Sequence, residues 1–133
     1  VLAQIAMTAS ANELTVRLEG LESREGALLY AVFDTARPFP GDVDRAVRSG
    51  YVPLEDGAGD VRLTIPLDPG RYALALVHDQ NANGQLDVGA FGIPVEGFGF
   101  SNNPETRRGP PSFEDSAFDF ADPAEPIEII IQY

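Results

Sequence analysis

The apolar runs in this chain are short, and glycine or proline closes each within a few residues. Glu13-Leu14-Thr15-Val16-Arg17-Leu18-Glu19 alternates with period two. That places Leu14, Val16 and Leu18 on one face and charged or polar side chains on the other, the pattern of a half-buried strand. Val61-Arg62-Leu63-Thr64-Ile65-Pro66-Leu67 alternates again, and Pro66, with no N–H to give a ladder, puts this run at an edge or a strand end. Ala27 to Phe33 is nearly continuous apolar sequence, as is Arg71 to His78 after the turn Asp68-Pro69-Gly70. Both read as buried strands. Ile127 to Tyr133 reads as a last strand. Asp34 to Gly50 carries Pro38, Pro40 and Gly41, and then Val43 to Arg48, where one or two helical turns are expected. Short strands separated by Gly and Pro turns predict an all-β chain built as a single β-sandwich. At 133 residues it is one domain, assigned to residues 12–133, with residues 1–11 as a separate N-terminal extension.

Charge and residue usage weigh against several functions. The formal charge is −12, with nine arginines and no lysine. Such a surface repels nucleic acid and anionic membranes and concentrates cations. No cysteine is present, so there is neither a disulfide nor thiolate chemistry, and a single histidine makes a conventional zinc site improbable. No run approaches the roughly 20 apolar residues of a membrane-spanning helix.

The strongest motif is Asp79-Gln80-Asn81-Ala82-Asn83-Gly84-Gln85-Leu86-Asp87. Oxygen-bearing side chains recur at every second position, Gly84 turns the backbone and Leu86 anchors the loop. This matches the first nine positions of the EF-hand pattern. A hard cation such as Ca²⁺ needs six to eight oxygens at about 2.3–2.6 Å from a loop of this kind. Position twelve, where an EF-hand places its bidentate Glu, is Ala90, so the site must be closed by Asp87, Glu96 or water. The candidate ligands are Asp79, Asn81, Asn83, Gln85, Asp87 and Glu96. An Asx-rich turn without metal would use the same residue types. The surroundings are not those of an EF-hand: a strand precedes the loop, and Gly89, Gly92, Pro94, Gly97 and Gly99 follow it, excluding a second helix of normal length. A cation there would pin a long connection at a strand end, a structural role. With few charged ligands the expected affinity is of extracellular type, about 10⁻⁴–10⁻³ M.

Residues 1–11 have two readings. Ala9-Ser10-Ala11 looks like the small-residue cleavage site of an export signal, which would make the segment a remnant. Alternatively, Val1, Ala3, Ile5, Met7 and Ala9 share one face at period two opposite Gln4, Thr8 and Ser10. That is the pattern of a β-strand donated to the sheet edge of another copy. Eleven extended residues reach roughly 36 Å.

Pro69-Gly70-Arg71-Tyr72-Ala73, the stretch His78 to Asp87, Phe91-Gly92-Ile93-Pro94, Glu96 to Asn102 and Pro110 to Phe118 occur in an order that strongly resembles domain-of-unknown-function family 2141 of secreted bacterial domains. The resemblance covers residues 13–133. It implies an exported protein (secreted, on the cell surface or periplasmic) and a sandwich of transthyretin (prealbumin) or immunoglobulin type with about seven strands and one long Gly/Phe-rich loop. It implies no activity.

That loop, residues 91–118, holds Phe91, Phe98, Phe100, Phe113 and Phe118 among its glycines. Either the phenylalanines plug it onto the sandwich, or they form a surface for a glycan, peptide or small ligand. Arg107-Arg108 reads as a solvated tip. His78 is the one candidate general base, and its place at the end of an apolar strand suits a hydrogen-bonded structural residue. Glu114-Asp115 lies in a loop with nothing to raise a carboxyl pKa. The expectation is therefore a non-enzymatic, calcium-stabilised module that assembles with itself head to tail into a fibre, through residues 1–11. A binding module using the 91–118 loop is the alternative, and a calcium-dependent hydrolase using His78 is a third.

Overall fold

The computed structural model describes residues 12–54, 61–79, 97–121 and 125–133. Among these residues the strands are β1 (Glu13–Glu19), β2 (Ala27–Phe33), β3 (Arg48–Pro53), β4 (Val61–Pro66), β5 (Gly70–Asp79), β6 (Gly97–Phe100), β7 (Phe118–Phe120) and β8 (Ile127–Ile130). They form two sheets. The three-stranded sheet has the order β4-β1-β8, with β1 antiparallel to β4 and parallel to β8. The five-stranded sheet has the order β3-β2-β5-β6, and β7 pairs with the first residues of β5 on the side where β6 pairs with its last. The chain is an all-β sandwich.

The alternation in β1 and β4 becomes one wall of the core. Leu14, Val16, Leu18, Leu63 and Ile65 are buried against Leu28, Val32, Leu74 and Leu76 of the facing sheet. Each such side chain taken fully out of water contributes roughly 1.5–3 kcal/mol before chain entropy is charged against it. Their strand neighbours Thr15, Arg17, Arg62, Thr64 and Glu128 face outward, where Arg17 is ion-paired with Glu128. β4 is an edge strand, as Pro66 required.

The continuous apolar sequence of β2 and β5 has a different cause. Leu28, Val32, Leu74 and Leu76 point into the core between the sheets, while Phe33 and Ala73 point the other way. There they build a second cluster with Phe39 and Phe113. Phe39 sits edge-on to Phe33, Phe100 and Phe113, with ring centroids 5.5, 5.9 and 6.1 Å apart, a geometry that aromatic quadrupoles favour.

The C-terminal residues close one side of the sandwich. Ile131 N–H still donates to Glu19 O in the three-stranded sheet, at 2.8 Å. One residue later Gln132 exchanges two hydrogen bonds with Phe98 of the other sheet, at 2.9 and 2.8 Å. This crossing explains the glycines of Gly97-Phe98-Gly99-Phe100. A Cβ on Gly99 would lie 2.6 Å from Ile129 Cγ2 and 3.0 Å from Ile130 O, and one on Gly97 would collide with the Tyr133 ring. Glycine is required where the tail passes.

Two expectations from sequence change here. The helical turns expected over Val43–Arg48 shrink to a single 3₁₀ turn, Val43–Arg45, and Arg48 already begins β3. The 91–118 excursion, expected to have little regular structure, contains β6, a one-turn helix α1 (Phe113–Ser116) and the start of β7 within its described part. Ser112 caps α1, its Oγ accepting from Asp115 N–H at 3.1 Å. The 107–108 tip is solvated, with Arg107 paired only to its neighbour Glu105.

Candidate functional site

β5 ends on two residues with no exposed surface, His78 and Asp79. Strand alternation sends them to opposite faces. His78 pairs across to Leu28 on the core side, and Asp79 pairs with Ala27 on the outer side. On the core side the imidazole is held at both nitrogens. Nε2 lies 2.8 Å from the carbonyl oxygen of Glu25, and Nδ1 lies 2.7 Å from Tyr133 Oη. A carbonyl only accepts, so Nε2 carries the proton and Nδ1 of the neutral ring accepts from the phenol. Tyr133 Oη in turn accepts from Glu22 N–H at 3.1 Å. The result is a chain of hydrogen bonds tying the last residue of the protein and the 20–26 turn to the end of β5. Burial raises the Tyr133 phenol above its ordinary pKa, against the lowering effect of the Glu22 N–H; the Glu22 carboxylate adds to the rise. Both lone-pair positions of the imidazole plane are used inside the protein, so His78 has no nitrogen to offer a substrate.

Asp79 is the root of the oxygen-rich loop. Of the six candidate cation ligands it alone lies within the described residues, and Asn81, Asn83, Gln85, Asp87 and Glu96 lie outside them. A carboxylate with no exposed surface requires a partner, because an ion stripped of water and left unpaired costs several kcal/mol. Its position at the last residue of β5, with Asn81 and Asn83 next in sequence, fits a hard cation. Among the described residues alone, no group of three or more His, Cys, Asp or Glu comes together as a metal site. Residues 1–11 also lie outside the described residues.

The described part of the Gly/Phe-rich loop is held down by a polar clasp that sequence reasoning missed. Ser101 N–H donates to Leu74 O, and Ser101 Oγ accepts from Leu74 N–H, both at 3.0 Å. The same hydroxyl donates to Ser116 O at 2.5 Å. Asn102 Nδ2 donates to Ala117 O at 2.7 Å. Asn103 Nδ2 donates to Glu128 O at 3.1 Å while Asn103 Oδ1 accepts from Ile130 N–H at 2.9 Å. Its side-chain amide thus imitates a neighbouring strand along the outer edge of β8. Asn102 and Asn103 have φ of 68° and 48°, a left-handed conformation that Asn adopts more readily than most residues. The Ser-Asn-Asn run with its turn was the available signal. Phe100 and Phe113 plug this segment onto the outer face of the five-stranded sheet.

The rest of that outer face is open. Leu29, Ala31, Ala75 and Val77 floor a cleft of about 500 Å³, walled by Pro40 and Val43 on one side and by Ser49 and Tyr51 on another. Val43, Val47 and Tyr51 are exposed large apolar side chains around it.

Comparison with known proteins adds one match. A family described as uncharacterized protein conserved in bacteria, domain-of-unknown-function family 2141, matches residues 16–128. No curated protein matches the chain. No solved structure matches it either.

Proposed function

Because the chain belongs to domain-of-unknown-function family 2141, an uncharacterised bacterial family that brings no activity with it, we propose a function from its fold: an exported, non-enzymatic β-sandwich that assembles with itself and is stabilised by calcium. The observation that carries the assembly is the five-stranded sheet's outer face. It is apolar, its own chain covers it only in part, and exposed Val43, Val47 and Tyr51 surround the uncovered part. Exposed apolar surface gathered in one place marks an interaction site. The buried Asp79 at the mouth of the oxygen-rich loop supports the ion, whose role is to neutralise that loop and fix its root. The closed hydrogen bonding of His78 speaks for a structural role and against the hydrolase alternative.

The test is particle size by light scattering and thermal unfolding, each in millimolar calcium and then in excess chelator. Polymers of the full chain are expected, together with a higher melting temperature in calcium. At a concentration about 100 times the dissociation constant the ion adds roughly 2.7 kcal/mol. A chain that stays monomeric at high concentration with calcium present sinks the assembly. A melting temperature indifferent to calcium sinks the ion.

The cleft favours a second reading, a binding module, though not through the 91–118 loop where sequence reasoning put it. A largely apolar floor of this volume suits a small apolar ligand better than a glycan. Saturable binding of an apolar fluorescent probe to a monomeric chain would favour this reading over assembly.

A further inference from the structure

The sandwich guards its strand edges unequally. On β4, Leu67 N–H donates to Asn12 O. By the alternation of an antiparallel ladder, Pro66 is then one of the residues facing outward, and it has no N–H to offer. The outer edge of β8 is occupied by the Asn103 amide, and that of β6 is occupied at Phe98 by Gln132. β7 is only three residues long.

β3 is the exception. Leu54 N–H donates to Gly26 O, so the alternation turns Val52, Gly50 and Arg48 toward β2. The N–H and C=O groups of Ser49 and Tyr51 therefore point away from the sheet, and no described residue caps them. This edge runs beside the exposed side chains of Val47 and Tyr51.

We propose that the outer edge of β3 is the acceptor for residues 1–11 of a second copy of this chain, which add to the five-stranded sheet as an antiparallel strand. The proposal rests on the self-assembly reading and names its contact. Three observations choose the occupant. Eleven extended residues reach roughly 36 Å, more than the roughly 20 Å of a six-residue strand. Val1, Ala3, Ile5, Met7 and Ala9 fall on one side at period two, so the added strand continues the apolar outer face. The chain is held in the three-stranded sheet's ladder up to Asn12. From there it reaches its own β3 only by turning at once across the roughly 10 Å between sheets. A straight continuation carries it off its own sandwich and onto the next copy. Main-chain hydrogen bonds at the edge give affinity, and the apolar face sets the register. Donor and acceptor are different surfaces, so the contact is heterologous and extends into a fibre unless the rotation closes a ring.

The absence of cysteine allows a direct test with the full chain. Two singly substituted proteins, M7C and Y51C, are mixed in calcium under mild oxidation and compared with each alone. A disulfide-linked heterodimer that grows with concentration is expected. S49P removes one outward N–H and should abolish the high-mass species while leaving the melting temperature near that of S49A, because proline is tolerated on an edge that pairs with nothing. If polymers survive S49P and no M7C–Y51C link forms, the acceptor edge is wrong while self-assembly stands. If the unsubstituted chain is monomeric throughout, both fall. If a chain carrying both cysteines links within itself at high dilution, the strand is its own and the proposal is overturned.

Discussion

The outer faces of the two sheets are built to opposite rules. On the three-stranded sheet the side chains turned away from the core are Thr15, Arg17, Arg62, Thr64 and Glu128, a solvated surface of crossed charges. On the five-stranded sheet they are Leu29, Ala31, Phe33, Ala73, Ala75 and Val77, part covered by Phe39, Phe100 and Phe113 and part open as a cleft. One sheet has a single buried face, as antiparallel sandwiches usually do. The other is buried on one face and half-buried on the second. A face that the chain's own loops cover only in part is where a partner gains most, because apolar area is still in contact with water there.

The contrast is broken most severely at Phe33. It has no exposed surface although it points away from the central core. Phe33→Ala should cost about 3–5 kcal/mol in denaturant unfolding, as in a central core. Thr15→Ala, on the opposite outer face, should stay within about 0.5 kcal/mol. Equal small losses at both sites would mean that the Phe33 cluster is not a second core.

A smaller effect is expected where the tail joins the two sheets. Tyr133→Phe leaves buried His78 Nδ1 without its donor and should cost about 1–2 kcal/mol. It also carries a pH signature. Burial raises the phenols of both Tyr133 and Tyr72, and for Tyr72 nearby Asp68 and Asp34 add to the rise. The fold therefore prefers the neutral form. Its contribution is complete below the unfolded value of about 10 and is lost as pH climbs past that value and through the raised ones. Alkaline unfolding should be shallower in Tyr133→Phe than in the parent. An unchanged alkaline limb would remove Tyr133 as its source.

Smallest of all should be Glu128→Gln, which breaks the ion pair with Arg17 on the solvated face. Both partners are part exposed, so the expected cost is under about 1 kcal/mol and shrinks further with added salt. A larger, salt-independent loss would show that this face is less solvated than its composition implies.

Strand positions were legible wherever a strand has one wet face or a long apolar run, because the period of the side chains is the period of the backbone. β1, β4 and β5 follow from that alone, and so does the edge position of β4 from Pro66. β3 was hidden. Arg48-Ser49-Gly50-Tyr51-Val52-Pro53 has no alternation, since Gly50 stands where a Cβ would fall 2.5 Å from the Tyr30 ring. Of the candidate cation site, the sequence supplied the ligand types and their spacing, and the structure adds the burial of Asp79. The partnership of His78 could not be read, because Tyr133 is 55 residues away and nothing local to His78 announces it.

By itself, then, the sequence determined the all-β class, the inward residues of the wet-faced strands and the oxygen-rich loop at the end of β5, all of which depend on neighbours within a few residues. Tertiary structure alone decided which second face is covered, which glycines stand under a crossing tail, which strand edges are capped and which is left open. Those are properties of contacts between distant segments, and local periodicity carries no record of them.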